Sequence, residues 1–325
     1  MSSARKIGVL LGGLSLEREA SLRAGEAILA ALQRRGHQVQ PLFVDRHIDI
    51  ALRQSGIDLA FLAVRGRYGA DGCLQGLLEM LAIPYTGSSV LASGLAMNRA
   101  KTKEVLRLHN LPTAPAYQIR AQQSDKISEI HGAFGFPVVV RPVGAPLLLG
   151  GTLVRDEMEL ESALEDAFAL DDEVLVERFV QGRPICVPVL DGLALGALEV
   201  SRSGSWSAAD TCSPCRLSPA RHASVLRMAA QSYDALGCEG PASVEMVVSE
   251  RFNEIVVEVD AAPHLLPGAP LPRMAQEAGM GFDELIDEIL AGARLRAHGI
   301  RRNRRASHVP FDGPDRRANA APAAH

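Results

Sequence analysis

Residues 243–260, SVEMVVSERFNEIVVEVD, have the pattern of two short strands joined by a polar turn. Residues two apart on a strand share a face, so Glu258 and Asp260 point to the same side. The connection SERFN is short enough for the strands to pair as a hairpin, and Glu245 on the first strand then faces the other two acids. The pattern therefore predicts three carboxylates on one face of an antiparallel hairpin.

Three carboxylates held together repel one another unless cations lie among them. Hard oxygen ligands of this kind suit Mg²⁺ bridged to phosphates, so Glu245, Glu258 and Asp260 are candidate metal ligands. A solvated acidic face is the alternative, because alternation of acid and valine is also typical of a half-exposed strand. The hairpin alone leaves both interpretations open.

The composition favours small-molecule chemistry. A chain of 325 residues is long enough for two or three compact units with clefts between them. Lysine plus arginine total 34 against 38 acidic residues, and the net charge of −4 gives no reason to expect nucleic acid or a membrane as partner.

The cysteines and the N-terminus favour a cytoplasmic location. There are five cysteines, and Cys212 and Cys215 form a CxxC without a second pair, which we interpret as coincidence in a loop rather than a metal site. The opening run MSSARKIGVLLGG stops at two glycines and predicts a first strand rather than a leader, and no apolar stretch is long enough to span a bilayer.

The first unit, residues 1–88, alternates apolar strands with helical patterns. Strands are predicted over 7–11, 39–44 and 59–64, and the first helix over 16–35. Strands separated by helices are typical of a parallel sheet with covering helices.

The second unit, residues 89–180, is predicted to open with one long helix over 90–108, which Pro112 and Pro115 end. The remaining order of strand, helix, strand, strand, helix, strand predicts a small antiparallel α+β lobe. The predicted strands are 116–119, 137–141, 152–154 and 173–179, and the predicted helices are 124–133 and 157–168.

The third unit, residues 181–299, is predicted to be a lobe built on an antiparallel sheet. The predicted strands are 184–190, 193–201, 242–249 and 255–260, and the predicted helices are 219–236, 271–279 and 282–297. Residues 300–325 have little apolar surface to bury and predict a disordered tail.

Five stretches occur in the order found in one known family. They are GGLSLEREASL at 12–22, GRYGADGCLQGLLEMLAIPYTGSS at 66–89, MNRAKTKEVL at 97–106, EVLVERFVQG at 173–182 and EVDAAPHLLPG at 258–268. Together they resemble the D-alanine:D-alanine ligases of bacterial cell-wall synthesis, which belong to the ATP-grasp superfamily. The resemblance implies a mixed α/β and α+β architecture, the ATP-grasp fold. Its N-terminal parallel α/β domain precedes a small central lobe and a C-terminal lobe with an antiparallel sheet.

The resemblance also implies a reaction and its ligands. These ligases form an acyl phosphate from one D-alanine and ATP, with Mg²⁺ or Mn²⁺ bridging the phosphates, and the amine of a second D-alanine attacks it. By position, Glu245, Glu258 and Asp260 correspond to the metal ligands, the first replacing an aspartate and the last an asparagine. Glu17 corresponds to the acid that receives the first substrate's ammonium, although a glutamate at a helix start also suits the helix dipole.

The resemblance also implies a nucleotide site and a quaternary structure. Residues that correspond to the ATP site are Arg99, Arg141, Gly150, Gly151, Glu177 and Phe179. Many members dimerise through the N-terminal unit, so a homodimer is an expectation.

Several positions depart from the family pattern. Arg99 and Arg141 replace lysines, which keeps the charge on a broader, planar head. In the phosphate loop, PVGAPLLLGG at 142–151, Pro146 removes an amide donor and three leucines offer no hydroxyl. Further departures are Arg65 for a histidine, Ala70 for an acid, Pro184 for the acid on the ribose, Ser243 for a charge-stabilising arginine, His264 for a glycine, Ala269 for a serine, and a short lid at 201–216.

Two functional hypotheses follow. The chain is an active ATP-dependent ligase for D-alanine or another amino acid, or it is an impaired paralogue that keeps the scaffold to bind a nucleotide or a partner. A dinucleotide-dependent oxidoreductase is disfavoured, because GGLSLE lacks the GxGxxG spacing.

Overall fold

The computed structural model describes residues 5–144, 151–200, 211–212, 215–249 and 254–296. Three sheets organise this part of the chain. The predicted tail, the CxxC side chain of Cys212, and most of the predicted phosphate loop and lid lie outside the described residues. The exact boundaries of the three predicted units stay predictions.

The N-terminal sheet is parallel, as predicted. The strands are β1 Lys6–Gly12, β2 Gln38–Val44 and β3 Leu59–Leu62, and the helices are α1 Arg18–Arg34, α2 Ile48–Ser55 and α3 Cys73–Met80. The strand order is β2-β1-β3, so β1 is central. A central parallel strand is covered on both faces, which explains why Ile7, Val9, Leu10 and Leu11 are all buried.

The predicted single helix over 90–108 is wrong, because the chain breaks at Asn98. Two helices are formed instead, α4 Val90–Met97 and α5 Arg99–Leu108. Asn98 has an extended backbone, and its side-chain oxygen accepts a hydrogen bond of 3.0 Å from the amide of Lys101. This N-cap satisfies one of the amides that the first turn leaves without a helical partner. The break places Arg99 at the start of α5 with its side chain buried.

The central sheet is antiparallel, in agreement with the predicted lobe. The strands are β4 Ala116–Arg120, β5 Val138–Pro142, β6 Thr152–Val154 and β7 Glu173–Arg178, and the helices are α6 Ile127–His131 and α7 Glu157–Phe168. The strand order is β4-β7-β5-β6. Helix α7 buries Leu160, Ala163, Leu164 and Ala167, whose spacing places them on one face. The predicted helix over 124–133 is the short α6 flanked by two 3₁₀ turns.

The C-terminal sheet is also antiparallel. The strands are β8 Arg183–Leu190, β9 Leu193–Ala194, β10 Leu198–Val200, β11 Thr211–Cys212, β12 Pro241–Val248 and β13 Glu254–Asp260, and the helices are α8 Pro219–Leu236, α9 Pro270–Glu277 and α10 Phe282–Ala291. The main order is β11-β10-β8-β12-β13, with β9 paired to β8. The predicted strand over 193–201 is two short strands, with Gly196 between them at a φ of 156° that favours glycine.

The last predicted helix, 282–297, is also shorter than expected. Helix α10 ends at Ala291, and Arg294 then exchanges backbone hydrogen bonds with Tyr85 of the N-terminal unit. Its carbonyl accepts from the Tyr85 amide at 3.3 Å, and its amide donates to the Tyr85 carbonyl at 3.1 Å. An extended segment satisfies its backbone groups through this pairing in place of a further helical turn.

Two apolar cores join the units around the predicted hairpin. One packs α8 against β8, β12 and β13, and it includes Leu106 of α5. The other joins β1 and α1 to α9 and α10. The acidic face of the hairpin therefore lies beside the N-terminal unit. In the part of the chain that is described, no helix has the length and apolarity needed to cross a membrane.

Replacing Asn98 tests the break between α4 and α5. Asn98→Ala removes the cap and should lower the free energy of unfolding by about 1 kcal/mol, measured by urea denaturation. Asn98→Asp keeps a capping oxygen and should remain close to the wild type. Equal stability of all three proteins would show that the cap contributes nothing.

Candidate active site

The hairpin has the geometry that its sequence predicts. Strands β12 and β13 are antiparallel, with Glu245 opposite Glu258 and Ser243 opposite Asp260. Both acids of β13 therefore lie on the same face as Glu245. The register shifts directly after Glu245, which leaves Val257 as the extra residue of a β-bulge. Bulges are frequent beside active sites, where they redirect a side chain.

Glu245 and Glu258 form a buried acidic pair. Burial, followed by repulsion from Glu258, raises the pKa of Glu245 to about 8. Burial also raises the pKa of Glu258, but Arg99 opposes this rise. Arg99 donates from Nε to Glu258 Oε2 at 3.2 Å, its Nη2 lies 3.1 Å from Oε1, and its Nη1 donates to the carbonyl of Pro142 at 3.0 Å. Glu245 has no ion pair with any residue that the structure describes, and the more distant charges of Arg141 and Arg99 offset only part of the rise in its pKa.

Asp260 forms an ion pair with a different cation, Arg65. Arg65 donates from Nη1 to Asp260 Oδ2 at 3.1 Å and to the carbonyl of Ala262, and from Nε to Glu17 Oε1 at 3.0 Å. Burial lowers the pKa of Arg65, but Asp260 and Glu17 outweigh burial, and the guanidinium stays charged. We name Arg65, Glu17 and Asp260 the arginine knot. Within the described chain, no three His, Cys, Asp or Glu side chains are placed to share one metal ion.

His264 lies beside the arginine knot without joining it. Its Nε2 is 4.0 Å from Glu17 Oε1, and that atom is buried without a hydrogen-bond partner among the described residues. Burial and the charge of Arg65 lower the pKa of His264 to about 3, so the imidazole is neutral at pH 7. The contact with Glu17 is therefore not an ion pair.

The turn that follows β1 positions Glu17. Gly12 and Gly13 have φ values of 86° and 98°, and a side chain on Gly13 would lie 2.8 Å from Val64. Ser15 stabilises the loop by accepting from the Glu17 amide at 3.2 Å. The loop delivers Glu17 to the interior, where only 3% of its surface is exposed. A glutamate serving only the helix dipole would not require this burial.

The candidate nucleotide residues form a second ionic cluster between β5 and β7. Glu177 lies 2.6 Å from Lys103 Nζ and 3.3 Å from Arg141 Nε. Burial alone would raise the pKa of Glu177, but Lys103, Arg141 and Arg99 hold it below its usual range. The Nε of Arg141 is buried and faces Glu177 Oε2 as an ion pair, but the geometry of that contact is not that of a hydrogen bond.

Gly151 and Phe179 are the two remaining nucleotide candidates for which the structure gives contacts. A side chain on Gly151 would lie 2.6 Å from Cγ of Arg141, so glycine permits the close approach of that arginine. Phe179 follows β7, and its amide donates to the carbonyl of Pro137 at 3.1 Å. Gly150 lies outside the described residues.

Lys103 is a site residue that the sequence analysis did not identify. It is 2% exposed and donates to Thr113 Oγ1 at 2.8 Å as well as pairing with Glu177. The available signal is its spacing from Arg99 and Leu106, which places all three on the buried face of α5. A lysine on an apolar helix face calls for an acidic partner, and here the partner comes from a distant strand.

The comparisons with known proteins agree with this architecture. A family model for the D-ala D-ala ligase C-terminus matches residues 106–291. The D-alanine–D-alanine ligase of Geobacter sulfurreducens is 41% identical over 305 residues, covering 90% of this chain and 96% of the relative. The ligase of the same name from Geotalea uraniireducens is 39% identical over 301 residues, covering 90% and 96%.

A solved structure gives the same result in three dimensions. The crystal structure of a D-alanine–D-alanine ligase from Bacillus anthracis complexed with ATP has a TM-score of 0.79 and 31% sequence identity, covering 89% of this chain and 97% of that one. One parallel and two antiparallel sheets in this arrangement define an ATP-grasp protein. The sequence matches and the shared fold together identify the family. The chain belongs to the D-alanine–D-alanine ligase family.

The acidic pair predicts a pH dependence of stability. Because the folded pKa of Glu245, about 8, exceeds its ordinary value, the native state keeps a proton that the unfolded state has lost, and stability falls as the pH rises towards 8. The lowered pKa of His264 acts in the opposite sense, but only below about pH 6.5. Urea denaturation without metal, between about pH 6.5 and 8, should show a falling midpoint. Glu245→Gln should reduce that fall, and an unchanged slope would contradict the assignment.

The Lys103–Glu177 pair predicts non-additive mutational effects. Lys103→Met leaves a buried carboxylate with one fewer cation and should cost about 3 kcal/mol of stability. Adding Glu177→Gln removes that charge, so the double variant should be more stable than Lys103→Met alone. Urea denaturation of the wild type, both single variants and the double variant measures the coupling. A double variant as unstable as the sum of the singles would contradict the pairing.

Proposed function

We propose that this protein is an ATP-dependent ligase that joins two D-alanine molecules for peptidoglycan precursor synthesis. One observation carries the proposal: relatives named D-alanine–D-alanine ligase match 90% of the chain. The buried carboxylates and arginines between the sheets support it, because phosphoryl transfer needs charged groups placed in advance.

The proposed reaction has two steps. An oxygen of the first D-alanine's carboxylate attacks the γ-phosphorus of ATP, ADP leaves, and an acyl phosphate forms. The amine of the second D-alanine then attacks the carbonyl carbon, phosphate leaves, and the amine loses a proton. The role of the protein is to place these reactants together and to offset the charge on the transferred group.

The hairpin acids are proposed to hold a divalent cation, Mg²⁺ or Mn²⁺, although in the described chain no three of them are placed to share one ion. Glu245 supports this, because a buried carboxylate beside Glu258 stays ionised at neutral pH only with a further positive charge nearby. Both oxygens of Asp260 already accept hydrogen bonds, from Arg65 and from the amide of Ala262, but each keeps a second lone pair for a metal. The cation, when bound, would neutralise phosphate oxygens.

The ionic cluster between β5 and β7 is proposed to hold ATP. Arg141 suits a phosphate oxygen, since its guanidinium pairs with Glu177 through Nε while the side chain stays 21% exposed. Arg99 extends positive charge towards the hairpin. We assign Gly150 and Gly151 to the phosphate loop, and Glu177 and Phe179 to the adenine side.

Glu17 is proposed to receive the ammonium group of the first D-alanine. Glu17 is buried, and Arg65 bridges it to Asp260. This contact brings the proposed substrate site alongside the proposed metal site. A cytoplasmic location and a homodimer formed through the N-terminal unit stay predictions that fit this function.

Turnover with ATP, Mg²⁺ and D-alanine tests the function. We expect release of ADP and phosphate together with D-alanyl-D-alanine, and ATP with Mg²⁺ should raise the melting temperature. Glu258→Gln should lower turnover by at least about 100-fold, because it removes charge from the metal site.

Glu254→Gln is the matched control for this substitution. It makes the same change on the same strand, but Glu254 pairs with Arg221 at 3.6 Å, away from the acidic pair. Turnover near the wild-type level is expected. A protein that neither releases ADP nor gains stability from ATP and Mg²⁺ would favour the impaired-paralogue hypothesis instead.

A further inference from the structure

Arg99 engages both carboxylate oxygens of Glu258. Its Nε donates to Oε2 at 3.2 Å and its Nη2 lies 3.1 Å from Oε1, so the guanidinium lies along the edge of the carboxylate. Both side chains are buried, with 6% of Arg99 and 9% of Glu258 exposed. A divalent cation at the same oxygens would repel the guanidinium in a site that water screens poorly. Arg99 and a metal ion therefore compete for Glu258.

This competition accounts for the arrangement of the candidate metal ligands. Glu245 is opposite Glu258, yet no three His, Cys, Asp or Glu side chains of the described residues are placed to share one ion. Asp260 is paired with Arg65. Glu258 is paired with Arg99, so both acids of β13 have an arginine as partner. The two ion pairs hold these acids in positions that do not converge on one ion.

Arg99 also lies beside the segment that is proposed to bind the phosphates of ATP. Its Nη1 donates to the carbonyl of Pro142 at 3.0 Å, and its amide donates to the carbonyl of Val143 at 3.4 Å. Pro142 is the last residue of β5, and Val143 leads into the proposed phosphate loop. A guanidinium binds phosphate as well as carboxylate, because its donors match the oxygens of either group. A phosphate bound at this loop therefore competes with Glu258 for Arg99.

We propose that Arg99 exchanges partners when ligands bind. It neutralises Glu258 in the nucleotide-free protein and moves to the phosphates of ATP when they arrive, which frees Glu258 for the divalent cation. This inference rests on the proposed ligase function and its ATP site. Phosphate and cation then strengthen each other's binding, because each removes the competitor of the other.

A purely structural ion pair is the alternative. Removing one partner of such a pair leaves the other charge buried and lowers stability. Ligands that depend on the folded site then bind more weakly or are unaffected. The exchange predicts changes of opposite sign for metal and nucleotide, so measurements of binding separate the two interpretations.

Two titrations, one for each ligand, test the exchange. Calorimetry measures the binding of ATP in the presence of EDTA, and electron paramagnetic resonance measures the binding of Mn²⁺ without nucleotide. Arg99→Met should raise the affinity for Mn²⁺ at least about tenfold and lower the affinity for metal-free ATP at least about tenfold. Glu258→Gln should cause the opposite changes, because it removes the carboxylate that competes with phosphate for Arg99.

Arg141→Met is the matched control for the effect of charge alone. Arg141 pairs with Glu177 rather than with the hairpin acids, but its charge opposes the raised pKa of Glu245 more strongly than that of Arg99 does. If charge alone governed metal affinity, both arginine variants would gain affinity for Mn²⁺. The exchange predicts that Arg141→Met binds metal-free ATP more weakly but keeps its affinity for Mn²⁺ within about threefold of the wild type.

Four outcomes overturn the proposal. An Arg99→Met variant that is folded by circular dichroism and gains no affinity for Mn²⁺ refutes the exchange and leaves the ligase function in place. Equal gains in Arg99→Met and Arg141→Met also refute it. Glu258→Gln provides a test that does not need Arg99→Met to fold, and an unchanged or weaker affinity of this variant for metal-free ATP refutes the exchange. Absence of ATP binding to the wild type, with or without Mg²⁺, refutes the ligase function and the inference with it.

Discussion

The repulsion between two buried glutamates constrains the whole site. Glu245 and Glu258 are opposite each other on β12 and β13, in an interior that disfavours their charges. Arg99 offsets one of the two charges through a two-pronged ion pair, whereas Glu245 has no ion pair with a described residue and its pKa is raised by burial and by Glu258. A site with one carboxylate left over is suited to receive a cation together with an anionic ligand.

The same ionic contacts also hold the units of the protein together. Arg65 joins the N-terminal unit to the hairpin through Glu17 and Asp260, and Lys103 joins α5 to the central sheet through Glu177. Buried ion pairs stabilise little compared with apolar contacts, but breaking one is costly because the partner charge stays buried. Substitutions in the site will therefore change stability as well as ligand binding, which is why each proposed activity assay needs a folded control.

Prediction from the sequence succeeded where a local pattern determines the structure. Alternation predicted the hairpin and its acidic face, and uninterrupted apolar runs predicted the parallel sheet. It failed where local and tertiary preferences differ. The helix over 90–108 breaks because Asn98 caps a new helix, and the last helix ends early because Arg294 pairs with Tyr85, far away in the chain. Helical periodicity continues through both points, so it gives no sign of either change.

The sequence by itself determined the class of fold, the family resemblance and the shared face of the three acids, because strand periodicity and motif order are properties of neighbouring residues. Only the tertiary structure decided which cation each acid contacts. Arg65 lies 48 residues from Glu17 and 195 from Asp260, and Arg99 lies 159 residues from Glu258. Charge attraction acts through space rather than along the chain, so spacing in the sequence carries no record of these pairs. The arginine knot forms only when the N-terminal unit, with Glu17 and Arg65, packs against the hairpin, with Asp260.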